Sequence, residues 1–137
     1  MGAPRYAGEA LKLHAERLSH LNTVTAYGPG YIDINGARFA GNLILLAEQP
    51  VRAWDVDGFE SLRREDFDLF LGLGIDVVLF GTGGRQRFAA PALTAGLARA
   101  RVAIETMDTR AACRTFNILA ADGRRVGAAL LHETSTP

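Results

Sequence analysis

Apolar and polar positions follow two different patterns along the chain. In the first half, short β-branched and aromatic runs are separated by turn residues, with GPG at 28–30 and NG at 35–36. Asn-Gly is the dipeptide most suited to a two-residue hairpin turn. The pattern predicts antiparallel strands at residues 24–27, 31–34 and about 38–47, and one more short strand in PVRAWDV after Pro50.

The segment LKLHAERLSHL, upstream of these strands, fits two structures. Leu11, Ala15 and Leu18 would share one face of a helix, whereas residues 11–14 alternate as in a strand. We favour a strand at residues 10–15.

The second half carries helical spacing and longer apolar runs. REDFDLFLGLG places its phenylalanines on one helical stripe, with acidic residues at the start and glycines at the end, and predicts a helix at 63–72. The apolar run DVVLFG then predicts a strand at 76–80 that is covered on both faces and lies at the centre of the sheet.

A right-handed βαβ unit is predicted for residues 76–107. APALTAGLARA is its helix, with Pro91 in the first turn, and RVAIETM is a second buried strand. A last helix at about 110–120 precedes the closing strand RRVGAALL, and residues 132–137 form a free tail. The pattern therefore predicts one domain of mixed α and β structure, residues 1–137.

The charge balance argues against several classes of partner. Fifteen basic and fifteen acidic residues cancel, so no overall positive field would attract nucleic acid or an anionic membrane surface.

The apolar runs are far shorter than the ~20 residues of a membrane span, and we recognise no signal segment or mitochondrial presequence. A single cysteine fits a reducing compartment. We expect a cytoplasmic protein without a cofactor and, with three scattered histidines, without a metal site.

A glycine-rich stretch follows the predicted strand at 76–80, namely Gly81, Thr82, Gly83, Gly84 and Arg85. In an open α/β sheet, ligands bind beyond the carboxyl ends of the strands, and glycines let backbone N–H groups approach an anion. The spacing matches neither the dinucleotide-binding motif nor the P-loop, which disfavours nucleotide binding. In the structural alternative, the glycines supply positive φ angles at a crowded crossing.

Arg85, Arg87 and Arg114 would converge on a small cationic pocket if the two strands of the βαβ unit are parallel neighbours, because the segments that follow them then leave the same sheet edge. Such a pocket would suit a carboxylate or a phosphate. Asp108 or Thr109 would cap the last helix, which is also the structural explanation for both residues.

Cys113 lies near the start of the last helix and next to Arg114, where the pKa of a thiol can be lowered. Ala112, Phe116 and Leu119 form an apolar stripe beside it, and none of the three histidines is near it in sequence. A nucleophile needs a base and an oriented second partner. We therefore interpret Cys113 as a packing residue rather than a catalytic one.

Three segments of the second half, VVLFGTGGRQRF, ETMDTRAACRTFNIL and DGRRVGAALL, resemble a family of small proteins of unknown function that includes the mitochondrial complex I assembly factor 3 relatives. The likeness extends upstream through AYGPGYIDING and RAWDV, and covers about residues 22–131. The resemblance implies a three-layer α/β fold, with a central mixed, mostly parallel sheet, helices against it and an additional small N-terminal β layer. The hallmark positions of the family fall here on Gly81, Thr82, Gly83, Asp108, Thr109, Ala111, Ala112, Cys113, Arg114, Thr115 and Asn117.

The resemblance also implies a function, because mitochondrial members act with a partner protein in assembling respiratory complex I. We expect a bacterial, non-enzymatic module that binds a protein partner of unknown identity through the loop at 81–87 and neighbouring apolar surface. The alternative is a site for a small anionic molecule, enzymatic or not, at the glycine loop and Arg114, in which Asp108 or Cys113 takes part. A homodimer formed through an edge strand near RYAGEALKL is a further alternative.

Overall fold

The computed structural model describes Lys12 and residues 19–134 of the 137-residue chain. Eight strands are formed by residues 21–134: β1 (Val24–Gly28), β2 (Tyr31–Ile34), β3 (Ala37–Ala40), β4 (Leu43–Leu46), β5 (Arg52–Ala53), β6 (Val77–Thr82), β7 (Ala103–Met107) and β8 (Val126–Leu131). The same residues form α1 (Arg64–Asp68), α2 (Pro91–Arg99), α3 (Thr109–Ala121) and a short 3-10 helix (Phe59–Ser61). None of the described helices is long and apolar enough to cross a membrane.

The eight strands form two sheets. A small antiparallel sheet has the order β1-β2-β3, and a larger mixed sheet has the order β5-β4-β8-β6-β7. In the larger sheet β6 is parallel to both of its neighbours, while β4 is antiparallel to β5 and β8. Four of its five strands therefore run in one direction, and the predicted mixed, mostly parallel sheet with a small N-terminal β layer is confirmed.

The hairpin that joins β2 and β3 confirms the prediction made from Asn-Gly. Ile34 pairs with Ala37, and the two residues between them have positive φ angles, 54° at Asn35 and 81° at Gly36. This is the geometry of a type I′ turn, whose twist matches that of the flanking strands. The first hairpin turns at Gly30, which also has a φ of 81°.

The single strand predicted at about 38–47 is wrong, because the chain leaves one sheet and enters the other within this range. Gly41 has a φ of 85° and redirects the backbone between β3 and β4. Asn42 then fixes the crossing: its amide donates to the Val56 carbonyl at 2.9 Å and its side-chain oxygen accepts from the His132 N–H at 2.9 Å. The sequence pattern does not contain these long-range bonds.

The position of two strands within the larger sheet also differs from the prediction. β8 is the central strand and is buried along its whole length, whereas β6 lies one place from the edge. β7, predicted to be buried, is the edge strand, and Ala103 and Glu105 on it are exposed. Two apolar strands of similar length cannot be ordered from composition, because their order depends on pairing partners far away in the chain.

Two further predictions differ in extent. The helix predicted at 63–72 is α1, which is only five residues long; residues 69–72 continue as turns, in which Phe70 and Leu71 donate to the carbonyls three residues before them. The strand predicted at 10–15 lies outside the described residues except for Lys12, which has helical backbone.

Helices cover both faces of the larger sheet, which gives three layers. Val78 and Phe80 point into an aromatic cluster that α1 and α2 complete, and Trp54 packs there edge-on against Phe67, with ring centroids 5.8 Å apart. Val77 and Leu79 point to the opposite face, into a cluster completed by α3 and the small sheet. Each face therefore has its own apolar cluster, and burial of one large side chain there contributes about 1.5–3 kcal/mol.

Asn117 connects α3 to the small sheet. Its side-chain oxygen accepts from the Val24 N–H and its amide donates to the Val24 carbonyl, both at 2.9 Å. One side chain thus satisfies both backbone groups of the first residue of β1. The first residues of the predicted tail are also bonded: the Gly30 N–H donates to the Glu133 carbonyl at 2.6 Å.

We expect Asn117→Ala to lower the free energy of unfolding by about 2 kcal/mol, because it leaves two partly buried backbone groups without their partners. Urea denaturation measures the change. The control is Ile118→Ala on the same helix, where the side chain is 67% exposed and the expected change is within about 0.5 kcal/mol. Equal effects of the two substitutions would show that Asn117 does not hold α3 and the small sheet together.

Candidate functional site

The segments that follow β6 and β7 meet beyond the carboxyl ends of these two strands. The two strands are parallel, with Gly81 opposite Met107, so residues 83–88, which we call the rim loop, leave the sheet beside the start of α3. The Thr109 N–H donates to the Gly83 carbonyl at 2.9 Å. The geometry that the sequence prediction required is confirmed.

The hydroxyl of Thr109 binds this junction together. It accepts from the Gly83 N–H at 2.8 Å and donates to the Leu131 carbonyl at 2.5 Å. The side chain is buried, with 3% of the residue exposed. A buried hydroxyl without partners is costly. These two hydrogen bonds therefore fix the ends of β6 and β8 relative to the first residue of α3.

Thr82 organises the rim loop in a similar way. Its buried hydroxyl lies 2.6 Å from the Arg85 carbonyl and 3.2 Å from the Met107 carbonyl, and it accepts from the Arg87 N–H at 3.0 Å. Gln86 donates to the Thr106 carbonyl at 2.9 Å. The loop is therefore held by its own side chains and by the neighbouring strand.

Two of the predicted glycines have structural reasons for being glycine. A Cβ at Gly81 would lie 3.0 Å from the Thr109 hydroxyl oxygen and 3.1 Å from the Thr109 Cα, so the helix start could not approach the strand as closely. Gly83 has a φ of 92°, in the region that side chains disfavour. Gly84 is exposed beside the Glu133 side chain.

The three predicted arginines have different surroundings. Arg87 folds back, donating to the Thr82 carbonyl at 2.8 Å with its guanidinium 4.4 Å from the centre of the Phe59 ring. Arg114 donates to the Tyr27 hydroxyl at 3.1 Å. Arg85 is exposed. The loop and the helix start come together as predicted, but two of the guanidinium groups are directed to separate partners.

The remaining predicted residues lie in the first turns of α3. Asp108 is the N-cap and accepts from the Ala111 N–H at 2.9 Å, which satisfies a backbone donor of the first turn. Cys113 is 1% exposed. Burial raises the pKa of its thiol to about 12; the Arg114 guanidinium acts in the opposite direction and the Asp108 carboxylate in the same one. The thiol is thus protonated at neutral pH and packed in the core, a poor arrangement for a nucleophile.

In the described part of the chain, no group of three His, Cys, Asp or Glu residues is arranged to hold a metal ion. The nearest charged pair joins Arg110 to Glu133 at 3.0 Å, beside Gly84. A cleft of about 440 Å³ lies at the opposite end of β6 and β8, between the start of β8 and Leu46, and no predicted site residue lines it.

Sequence reasoning missed the side chain that changes the surface of the rim loop most. Phe88, the last residue of the loop, is 75% exposed, whereas Phe67, Phe80 and Phe116 are fully buried. The neighbouring residues RQR indicate a polar segment, but nothing in the sequence separates an exposed phenylalanine from a buried one. The sequence around Phe59 and Tyr27 gives no local signal that these residues contact Arg87 and Arg114.

The chain is similar to proteins of vertebrates and bacteria. A bovine protein named NADH dehydrogenase [ubiquinone] 1 alpha subcomplex assembly factor 3 is 34% identical over 110 residues, which are 79% of this chain and 59% of that protein. An uncharacterized Rhodobacter capsulatus protein is 35% identical over 108 residues, 79% of this chain and 82% of that one. The chain thus spans less than two thirds of the length of the bovine relative.

Solved structures show the same fold. The crystal structure of a Bordetella parapertussis protein matches with a TM-score of 0.77 and 45% sequence identity, over 81% of this chain and 95% of that one. The family model described as protein of unknown function (DUF498/DUF598) matches residues 24–131, from the first strand to the last. The chain belongs to this family.

Proposed function

We propose that this protein is a non-enzymatic module of the cytoplasm that binds a protein partner through the rim loop, with Phe88 as the central contact. The observation that carries the proposal is the exposure of Phe88, 75%, directly after three loop residues, Arg85 to Arg87, that are held by hydrogen bonds. A loop that served only as a connection would gain nothing from an aromatic ring in water.

Rigid presentation of an aromatic side chain favours protein binding. Aromatic residues dominate the energy of protein interfaces, because they bury a large area while losing few rotamers. The loop bonds of Thr82 and Gln86 exist before any partner arrives, so little conformational entropy would be lost on association. Arg85 and Gln86 are exposed beside Phe88 and supply the polar rim of such a surface.

The relatives support a proposal for the nature of the partner. The bovine relative is named as an assembly factor for NADH dehydrogenase, and we propose that this chain likewise contacts a component or an assembly protein of a respiratory complex. An anionic small molecule at Arg85 is the second candidate, supported by the exposure of that side chain next to Gly84. The Glu133 side chain lies against Gly84 and pairs with Arg110 at 3.0 Å, so a carboxylate of the chain itself already occupies this position, which weakens the candidate.

We expect Phe88→Ala to reduce recovery of the partner by about 30-fold, the effect of losing a contact worth about 2 kcal/mol. The measurement is affinity capture of the tagged full chain from cells at native expression level, with quantitative mass spectrometry. The matched control is Leu71→Ala, which removes an apolar side chain that is 38% exposed away from the rim loop. Recovery of the same stoichiometric partner with both variants would remove the rim loop from the interface.

The small-molecule candidate is tested by thermal unfolding with a panel of carboxylates and phosphates. A stabilisation of the parent protein that Arg85→Ala abolishes would favour that candidate over a protein partner. An unchanged midpoint across the panel is the result expected from the proposed function.

The buried Cys113 thiol gives a separate test of the non-enzymatic assignment. We expect iodoacetamide to leave the folded protein unmodified at pH 8 and to react only after denaturant is added, because the thiol is 1% exposed and its pKa is raised to about 12. In the unfolded chain the thiol ionises near its ordinary pKa of 9.0, so stability from this residue is complete below pH 9 and decreases as pH rises toward 12. Rapid alkylation of the native protein would point instead to a reactive cysteine.

A further inference from the structure

The outer edge of β7 carries free backbone groups in a defined pattern. The Ala103 N–H donates to the Asp76 carbonyl at 2.9 Å, and because alternate residues of a strand face alternate neighbours, Ala103 and Glu105 bond toward β6. The backbone groups of Ile104 and Thr106 therefore point away from the sheet. Gln86 confirms this direction, since it reaches the outward Thr106 carbonyl at 2.9 Å.

Two bonds already use outward groups of this edge: Gln86 donates to the Thr106 carbonyl, and the Val102 N–H donates to the Leu97 carbonyl, both at 2.9 Å. Two donors and two acceptors remain. The donors are the N–H groups of Ile104 and Thr106, and the acceptors are the carbonyls of Val102 and Ile104; no other described backbone group bonds them across this edge. The pattern is symmetric about Ile104, because the donor of Thr106 on one side is matched by the acceptor of Val102 on the other.

We propose that β7 pairs with β7 of a second copy of this chain, antiparallel and with the two-fold axis at Ile104. The two Ile104 residues then exchange their N–H and C=O groups, and each Thr106 N–H donates to the Val102 carbonyl of the other copy. Every free group of the edge is used, and the two larger sheets join into one. A strand edge that is symmetric in its free groups is self-complementary in the way that a two-fold interface requires.

Side chains on both sides of the edge fit this pairing. Glu105 would lie opposite the small Ala103 of the second copy, which keeps the two carboxylates apart. Each edge carries Arg101 near one end and Glu105 toward the other, both exposed and neither in an ion pair with another described residue. Antiparallel pairing brings the positive end of one edge toward the negative end of the other, which is favourable.

The surface beside the edge is concave. A depression of about 370 Å³ lies between β7 and α2, lined by Thr94, Ala98, Arg101, Val102, Ala103 and Ile104. Three of these residues, Thr94, Ala98 and Ala103, are small. Neither proline nor lysine, which commonly protect an edge from pairing, occurs in β7.

The test is the mass of the full chain in solution, measured by light scattering from micromolar to millimolar concentration. We expect the mass to rise from 14.7 kDa toward twice that value. Thr106→Pro removes the outward N–H without breaking a bond to β6, and should weaken dimerisation at least about 10-fold because each dimer loses two hydrogen bonds. The matched control, Thr106→Val, keeps the N–H and the β-branched shape and should dimerise as the parent does.

Amide hydrogen exchange of the unmodified protein gives a readout that does not depend on folding of the proline variant. The N–H groups of Ile104 and Thr106 should exchange more slowly at high than at low protein concentration. A mass of 14.7 kDa over the whole range, exchange at these two amides that is independent of concentration, or a folded Thr106→Pro variant that still dimerises fully would each overturn the proposal. The rim loop takes no part in this pairing, apart from the Gln86 bond, so failure of the dimer would leave the proposed function standing.

Discussion

The arrangement of the strand ends depends on the two hydrogen bonds of the Thr109 hydroxyl. The hydroxyl accepts from the end of β6 and donates to the end of β8, and the backbone of the same residue begins α3. Net contributions of single hydrogen bonds are only about 1 kcal/mol, but an unpartnered buried hydroxyl costs more, so the position admits few alternatives. Gly81 belongs to the same constraint, because a side chain there would push Thr109 away. Asp108, Thr109, Cys113 and Asn117 thus each have a structural role, in capping, in bonding or in packing of α3.

The rim loop is anchored at this junction, because its first residue, Gly83, is bonded to Thr109. Thr82, one residue before it, uses its hydroxyl to hold both the loop and the neighbouring strand, and Arg87 is placed under the loop against Phe59 rather than in solvent. The exposed Phe88 follows directly after these bonded residues, in a segment without regular secondary structure. The proposed protein interface depends on this placement, whereas a ligand pocket would need convergent polar groups around a cavity.

The two proposed interfaces use different parts of the same β-α-β unit. The rim loop leaves the carboxyl end of β6, while the free edge of β7 lies at the side of the sheet. Gln86 contributes to both surfaces, because its bond to Thr106 fixes the loop and also leaves the edge with equal numbers of donors and acceptors. Apart from Gln86 the two surfaces share no residue, so the two proposals allow a protein partner and a second copy to be bound at the same time.

The sequence by itself determined the local elements: the Asn-Gly turn, the helix that starts at Pro91, the strands rich in β-branched residues and a cap at Asp108 or Thr109 all depend on neighbours within a few residues. The structure assigns the cap to Asp108. It also indicated that the loop after β6 and the start of α3 share an edge, since a βαβ unit has few topologies. Only the tertiary structure decided the break at Gly41, the central place of β8, the separate partners of Arg87 and Arg114, and the exposure of Phe88. Each of these depends on contacts between residues far apart in the chain, whose energies local composition does not encode.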